Sequence, residues 1–210
     1  MTNTCYMCDD EATGNEHVPP KCFFPKSDRL RHNLITVPSC DAHNSKKSKD
    51  DEYLRAIVCI FPGVNVHAIR IFSKKVMRGM ERRPHHLDTF YPELTPIHTP
   101  LGETAICSID LPRFETAIGR IARALYFHSF KEKLDRPLWV VSNGLIGDDL
   151  SITPFHSIIS HGEKILPRSW KGHNQNVFAY SVDKSIRDQS KFICRLRFFD
   201  GALIYVGSKK

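Results

Sequence analysis

Residues 40–58 carry the stretch CDAHNSKKSKDDEYLRAIV, in which a candidate metal-binding pair leads directly into an apolar helical pattern. Asp41 is suited to cap the first turn of a helix, because its carboxylate can accept hydrogen bonds from free backbone N–H groups. Pro62 and Gly63 follow and favour a break in the chain. The stretch therefore predicts a helix from Asp41 to Val58. Its apolar stripe consists of four residues at helical spacing, Tyr53, Leu54, Ile57 and Val58.

Two paired-ligand motifs frame the first part of the chain. Cys5-x-x-Cys8 and Cys40-x-x-His43 each leave a gap of two residues, which lets both members of a pair face one ion. Zinc takes four such ligands in a tetrahedron, so the spacing predicts a structural zinc site with no open position. The alternative is four unconnected buried or surface residues. The remaining cysteines lack paired spacing and are interpreted as ordinary buried thiols: Cys22, Cys59, Cys107 and Cys194.

Three further motifs follow one another around these pairs. Glu16-His17-Val18-Pro19 lies between the pairs, Asn33-Leu34 opens a short β-prone run that ends at Pro38, and Asn44-x-x-Lys47 follows the second pair. This order resembles the HNH (ββα-metal) endonuclease family. In that family an acidic residue and a histidine end a first strand, Asn-Leu follows at a second strand, and a knuckle leads into a helix. The resemblance covers about a quarter of the chain.

The resemblance implies a small zinc-stabilised ββα domain that hydrolyses phosphodiester bonds. It implies that His17 is the general base, that Asn33 holds the loop carrying His17, and that Lys47 reaches a substrate phosphate. Glu16 and Asn44 would offer hard oxygen ligands to a catalytic Mg²⁺ or Mn²⁺. This assignment suits hydrolysis, which needs a base near neutral pH and a cation at the phosphate.

Simpler interpretations stand beside these roles. His17 could be a capping or core histidine, Asn44 could cap a helix, Asn33 could start a strand or turn, and Lys47 could belong to a solvated helix face. Two positions also depart from the family pattern. His43 stands where many members have a cysteine, and Asn44 replaces the final family histidine, which favours Mg²⁺ or Mn²⁺ over Zn²⁺ or Ni²⁺.

Positive charge is concentrated after the first helix. The chain has a net charge of +7, and residues 61–90 carry six Lys or Arg against two Asp or Glu, a net charge of +4. A second helix is predicted over His67 to Glu81. On a regular helix three of its cations, Lys75, Arg78 and Arg82, share one face. Such a stripe would grip phosphates without reading sequence, whereas the alternative is a solvated surface. Its predicted core residues are Ile69, Phe72, Val76 and Met80.

The pattern changes after the prolines of residues 84–100, which predict a linker. The chain is therefore predicted to be α+β, with an HNH nuclease domain at 1–60, a basic helix and Pro-rich linker at 61–100, and an α+β domain of unassigned role at 101–210. The predicted elements of the last part are a strand at Glu103–Leu111, a helix at Pro112–Phe130, and antiparallel strands at Leu138–Ser142, Val177–Ser181, Lys191–Phe199 and Leu203–Val206. An Asp200-Gly201 turn is expected to join the last two strands.

Composition restricts the compartment and the partners. No apolar run reaches the ~20 residues needed to span a bilayer, and no secretory signal pattern is visible, so a cytoplasmic protein with free thiols is expected. A calculated pI near 9.1 favours a polyanionic partner. The HNH resemblance implies that this partner is nucleic acid, with DNA expected. The chain is expected to act alone, as a homodimer, or as the effector of a larger assembly such as a bacterial antiviral defence or toxin system. The histidines after residue 100 are interpreted as surface or core residues: His128, His156, His161 and His173.

A second class of function remains open. The chain could be a catalytically inactive zinc-knuckle module that binds nucleic acid or protein. The Glu16-His17 pair discriminates between the two classes, because a zinc knuckle alone has no use for it.

Overall fold

The computed structural model describes residues 4–26, 29–44, 47–82, 94–99, 102–145, 162–164, 166, 168–184 and 191–209. Within these residues the chain is α+β, as predicted from the sequence, and every strand pair is antiparallel. No helix among them is long and apolar enough to cross a membrane.

A two-stranded ribbon carries the HNH-like motifs. Strand β1 (Gly14–Val18) pairs with β2 (Ile35–Ser39), and His17 lies opposite Thr36. The first three residues of β1, 14–16, carry no strand signal in the sequence. Gly-Asn-Glu has low strand propensity, and the strand forms because its backbone pairs with β2 and its alternate residues Glu16 and Val18 are buried.

The helix predicted from residue 41 is divided in the structure. A single 3₁₀ turn spans Asp41–His43, and α1 (Ser48–Val58) begins five residues later. The tight turn brings Cys40 and His43 to one side of the chain, where Cys40 Sγ lies 3.3 Å from His43 Nδ1. Lys46 lies outside the described residues. All four residues of the predicted apolar stripe are buried: Tyr53, Leu54, Ile57 and Val58.

The second helix contains a π-helical segment. It consists of α2 (Val66–Ile71), a π segment (Phe72–Met77) and α3 (Arg78–Arg82). The Asn65 side chain caps α2 by accepting a hydrogen bond from the His67 N–H at 3.0 Å. Because the helix docks through Ala68 and Ile71, the prediction that Ile69 is a core residue is wrong, and Ile69 is 58% exposed.

A hairpin lies where the sequence predicted the end of a linker. Strand β3 (Leu94–Thr99) pairs with β4 (Gly102–Cys107), so the linker prediction is wrong for 94–99. Pro96 is compatible with β3 because a two-stranded ribbon leaves one side of each strand without a neighbour. Pro84, Pro92 and Pro100 lie outside the described residues. The strand predicted to end at Leu111 ends at Cys107.

The later elements match their prediction closely. Asp110 caps α4 (Leu111–Phe130) by accepting from the Arg113 N–H at 3.0 Å. A four-stranded sheet follows, with the order β5-β8-β7-β6. Its turn over Phe199 and Asp200 has positive φ at both residues, as a tight hairpin requires. The strands are β5 (Leu138–Ser142), β6 (Phe178–Lys184), β7 (Phe192–Phe198) and β8 (Ala202–Ser208).

One hydrophobic core joins the N-terminal ribbon to this sheet. Helix α4 contacts α1, β1 and β2 as well as β5, β6 and β8. The ring of Phe23 lies 5.3 Å from that of Phe198, centroid to centroid. A second contact joins the turn after β7 to the loop after α1, and it needs Gly201, because a Cβ there would lie 2.2 Å from the backbone carbon of Gly63. Both proposed domains therefore contribute to one core, which places the ribbon in a fixed position.

Candidate metal centre and active site

Four ligand atoms converge at the end of the ribbon, from Cys5, Cys8, Cys40 and His43. Ligands at the usual zinc distances of about 2.3 Å for sulfur and about 2.0 Å for nitrogen leave about 3.8 Å between two sulfurs and about 3.5 Å between sulfur and nitrogen. The Cys8 and Cys40 sulfurs are 3.7 Å apart. His43 Nδ1 lies 3.5, 3.5 and 3.3 Å from the three sulfurs. These four atoms can hold a metal ion such as zinc.

The local backbone prepares the first knuckle for a metal ion. The Met7 N–H donates to Cys5 Sγ at 3.4 Å. Burial would raise the pKa of the Cys5 thiol, but backbone hydrogen bonds, that of Cys40 foremost, outweigh it and lower the pKa to about 6. The thiolate is the form that binds metal. The Tyr6 N–H donates to the Pro38 carbonyl at 2.9 Å and attaches the knuckle to β2.

A distant lysine also holds this knuckle. Lys133, just after α4, donates to the Cys8 carbonyl at 2.6 Å and to Asp9 Oδ1 at 2.8 Å. The cysteine pair therefore depends on tertiary packing as well as on its own spacing.

Glu16 and Lys47 form a buried ion pair on one face of the ribbon. They are 3% and 4% exposed, and the Lys47 ammonium donates to Glu16 Oε1 and to Asp51 Oδ1, the latter at 3.3 Å. Lys47 immediately precedes α1, so the pair joins β1 to that helix. The phosphate contact predicted for Lys47 would require this ion pair to open.

At this face one positive charge, that of Lys47, is bonded to two carboxylates, those of Glu16 and Asp51. Burial raises the pKa of Glu16 and raises that of Asp51 to about 6, although Lys47 lowers both. The Glu16 Oε2 atom is buried, and the Tyr6 hydroxyl is a hydrogen-bonding neighbour of the Glu16 carboxylate. Burial foremost, and then the charge of Glu16, raise the pKa of Tyr6. We name Glu16, Lys47 and Asp51 the buried charge cluster.

Asn44 lies near the same face but does not complete the predicted ion site. Its Nδ2 is 3.9 Å from the position that a Cβ on Gly14 would occupy, and Gly14 and Glu16 share a face of β1. Mg²⁺ retains several of its waters when bound by protein. Glu16 is closed to water and held by Lys47, so Glu16 and Asn44 do not fit a catalytic Mg²⁺ or Mn²⁺ in this arrangement.

His17 belongs to the opposite face, because neighbouring strand residues alternate. It is half-buried, and its pKa is lowered by burial and then by the positive charges of Lys21 and Arg31. Its Nδ1 is buried without a hydrogen-bond partner among the described residues. The lowered pKa favours the neutral imidazole, which is the form that can accept a proton.

Two cations, Lys21 and Arg31, lie near this histidine, and Arg31 links it to further cations. Burial lowers the pKa of Lys75, and the nearby charges of Arg55, Arg31 and Lys26 lower it further, so Arg31 acts on both Lys75 and His17. The Arg31 Nε donates to the Phe24 carbonyl at 2.9 Å, which fixes its guanidinium. We name the basic cluster by its five members, Lys21, Lys26, Arg31, Arg55 and Lys75. None of the five is within ion-pair distance of a carboxylate in the described residues.

The predicted stripe of Lys75, Arg78 and Arg82 is interrupted. The π segment that contains Lys75 changes the spacing on which a common face depends. Arg78 and Arg82 are exposed on α3, whereas Lys75 is half-buried beside Arg31. Arg83 lies outside the described residues. Of the three, only Lys75 shares a charged neighbour, Arg31, with His17.

Asn33 lies in the loop before β2. It is exposed, with a φ of 49° in the left-handed region, and the adjacent His32 carbonyl accepts from Asn174 Nδ2 at 3.2 Å. The C-terminal part therefore fixes this loop. The expected role of Asn33 in holding the His17 loop stays a prediction.

Sequence reasoning missed Asp51 and Arg31. Asp51 follows Lys47 by four residues, and this helical spacing was a readable signal. Arg31 carries no such signal, since it lies in an irregular loop between two residues of positive φ, Arg29 and Asn33.

Comparison with protein-family models, with curated proteins and with solved structures gives no match for this chain. Across the described ranges, the group of Cys5, Cys8, Cys40 and His43 is the only one found in which three or more Cys, His, Asp or Glu could hold a metal ion. The site is therefore interpreted from its own geometry.

Proposed function

We propose that this protein is an HNH-type endonuclease that hydrolyses phosphodiester bonds of nucleic acid, with DNA as the expected substrate. The observation that carries the proposal is a half-buried His17 whose pKa is lowered, near two cations, Lys21 and Arg31, that have no described carboxylate partner. A base at neutral pH and a positively charged surface are what hydrolysis of a phosphodiester requires. The strand-strand-helix order of β1, β2 and α1 agrees with the HNH resemblance.

In this mechanism His17 accepts the proton of the attacking water. Arg31, whose Nε is already anchored to a carbonyl, directs the rest of its guanidinium to phosphate oxygens as a planar fork. Lys21 and Lys75 add positive charge around the same phosphate. These contacts are to the backbone of the nucleic acid, so they imply little sequence preference.

The same proposal includes a structural zinc at Cys5, Cys8, Cys40 and His43. All four positions of a tetrahedron would be filled by protein, which leaves none for substrate. Zinc would fix the end of the ribbon and so the position of β1, on which both Glu16 and His17 lie.

A catalytic Mg²⁺ or Mn²⁺ stays part of the proposal because the HNH resemblance implies it. Such an ion would stabilise negative charge on the phosphate. Glu16 and Asn44, its predicted ligands, do not fit it in the arrangement described, and no step is assigned through the ion.

A binding module without catalysis is the second candidate, and one observation favours it. Glu16 is held inside by Lys47, so Glu16 has a structural use that does not depend on catalysis. In this alternative the basic cluster holds nucleic acid or an acidic protein partner, and His17 is a half-buried histidine without a chemical role.

Digestion of plasmid, single-stranded DNA and RNA by the zinc-loaded protein, with and without Mg²⁺ or Mn²⁺, tests the proposal. His17→Ala should slow cleavage by about a hundredfold or more, the usual scale for loss of a general base. His128→Ala is a matched control, because His128 is also half-buried and its pKa is also lowered by burial and by two lysines. Equal rates for His17→Ala and the native protein would contradict the mechanism, and binding without cleavage would favour the second candidate.

Double-strand cleavage places a further demand on the proposal. One ribbon site acts on one strand, so a homodimer or two binding events would be required. A larger defence assembly would be recognised by partners that co-purify with the full chain.

A further inference from the structure

The buried charge cluster contains its own cation. Lys47 bonds to Glu16 on β1 and to Asp51 on α1, so one ammonium bridges two carboxylates from different elements. Proteins also hold divalent metal ions with carboxylates that share one cation. The position between Glu16 and Asp51 is therefore a cation site whose occupant is part of the chain.

The chemistry of the position is not fully satisfied by an ammonium. Glu16 Oε2 is buried and takes no part in the bond to Lys47, which goes to Oε1, and the neutral Tyr6 hydroxyl beside the carboxylate adds no positive charge. Two carboxylates face one positive charge, and the nearby Arg120 is already bound to Asp50 at 2.9 Å. Removal of Lys47 would leave a buried site with excess negative charge and free oxygen ligands.

We infer that the Lys47 ammonium is the resident cation of the Glu16–Asp51 site and excludes divalent metal ions from it. Glu16 is then an anchor between β1 and α1, and the position that the HNH resemblance assigns to a metal ligand is neutralised internally. This inference concerns metal binding and does not rest on the proposed nuclease activity.

Mn²⁺ binding to the zinc-loaded full chain, followed by electron paramagnetic resonance, tests the inference. The native protein and Glu16→Gln should bind Mn²⁺ alike. At the Glu16–Asp51 site, Lys47→Ala should bind Mn²⁺ at least about tenfold more tightly than the native protein does, because a like charge has been removed from the site. The double variant Lys47→Ala/Glu16→Gln should lose that gain. Lys49→Ala, which removes an exposed lysine two residues away, should behave like the native protein.

Thermal unfolding gives a second readout. Mn²⁺ should raise the Tm of Lys47→Ala by more than it raises that of the native protein, since a ligand of the folded state stabilises it. The inference would be overturned if the native protein bound Mn²⁺ and Glu16→Gln abolished that binding. It would also be overturned if Lys47→Ala bound Mn²⁺ no more tightly than the native protein. If Lys47→Ala does not fold alone, folding on addition of Mn²⁺ supports the inference, and the comparison of the native protein with Glu16→Gln still decides.

Discussion

The two faces of the β1–β2 ribbon carry charge in opposite ways. On the Glu16 face, charges are buried and bonded to one another, and Lys47 is shared between two carboxylates. On the His17 face, Lys21 and Arg31 lie near the histidine without a described carboxylate partner, and Arg31 also acts on Lys75. Burial and then these positive charges lower the pKa values of His17 and Lys75.

We interpret the Glu16 face as stabilising the fold and the His17 face as the one suited to bind an anion. A buried ion pair has already lost its water, and breaking it leaves an uncompensated charge, so it resists change. Like charges that face solvent repel one another and gain when an anion arrives. Adjacent residues of one strand, Glu16 and His17, therefore serve a closed cluster and an open one.

Loss of the metal centre should have the largest effect, because it removes the frame that both faces share. Cys40→Ser or Cys8→Ser should abolish tight zinc binding and folding of the ribbon, since metal-binding energy in small zinc modules is folding energy, of about 10–16 kcal/mol. Metal analysis and circular dichroism would measure this. Cys107→Ala, in a half-buried thiol outside the cluster, should keep both zinc and fold. Well-folded protein without zinc would contradict the prediction.

Lysine substitutions on the two faces should then differ in kind. Lys47→Ala should cost about 3–5 kcal/mol of unfolding free energy, because it leaves Glu16 buried without a counter-charge. Lys75→Ala, at a half-exposed position, should cost no more than about 0.5 kcal/mol. Urea denaturation in zinc-containing buffer free of Mg²⁺ and Mn²⁺ would compare them. Equal losses of unfolding free energy in the two variants would contradict the view that only the Glu16 face stabilises the fold.

These faces also show what the sequence could predict. The metal ligands were predictable because each pair lies within four residues, and α4 and β5 were predictable from strong local patterns. The residues of the Glu16–Lys47 bond are 31 positions apart, and the bond depends on β1, a strand that the polar sequence of 14–16 does not predict. Once β1 is known, alternation alone puts Glu16 and His17 on opposite faces. The π segment likewise has no local signal in the sequence.

The pH dependence of cleavage would sharpen the comparison from the His17 side. A general base must be neutral, and burial together with Lys21 and Arg31 lowers the pKa of His17 from 6.5. The neutral form therefore persists to lower pH, and the acid limb of kcat/KM should have its midpoint below 6.5, with about tenfold loss per pH unit beneath it. Arg31→Gln should move the midpoint upward, and Arg78→Gln should not. A midpoint above 6.5 in the native protein would show that another group is the base.

The smallest expected effect is on the salt dependence of nucleic-acid binding, and it locates the binding face. If the basic cluster contacts phosphates, Arg31→Gln/Lys75→Gln should weaken binding to every sequence. It should also make the log–log salt slope shallower by about 0.9 per lost contact for duplex DNA and about 0.7 for single strands.

Arg78→Gln/Arg82→Gln removes the same charge from exposed α3 and serves as the matched control. A change confined to the first pair assigns binding to the His17 face. A change confined to the second pair would restore the helical stripe expected from the sequence, and would mean that the cations around His17 act on its pKa without holding substrate. Equal changes in both pairs would extend the binding surface from the ribbon along α3, because each lost contact lowers the slope independently of its position.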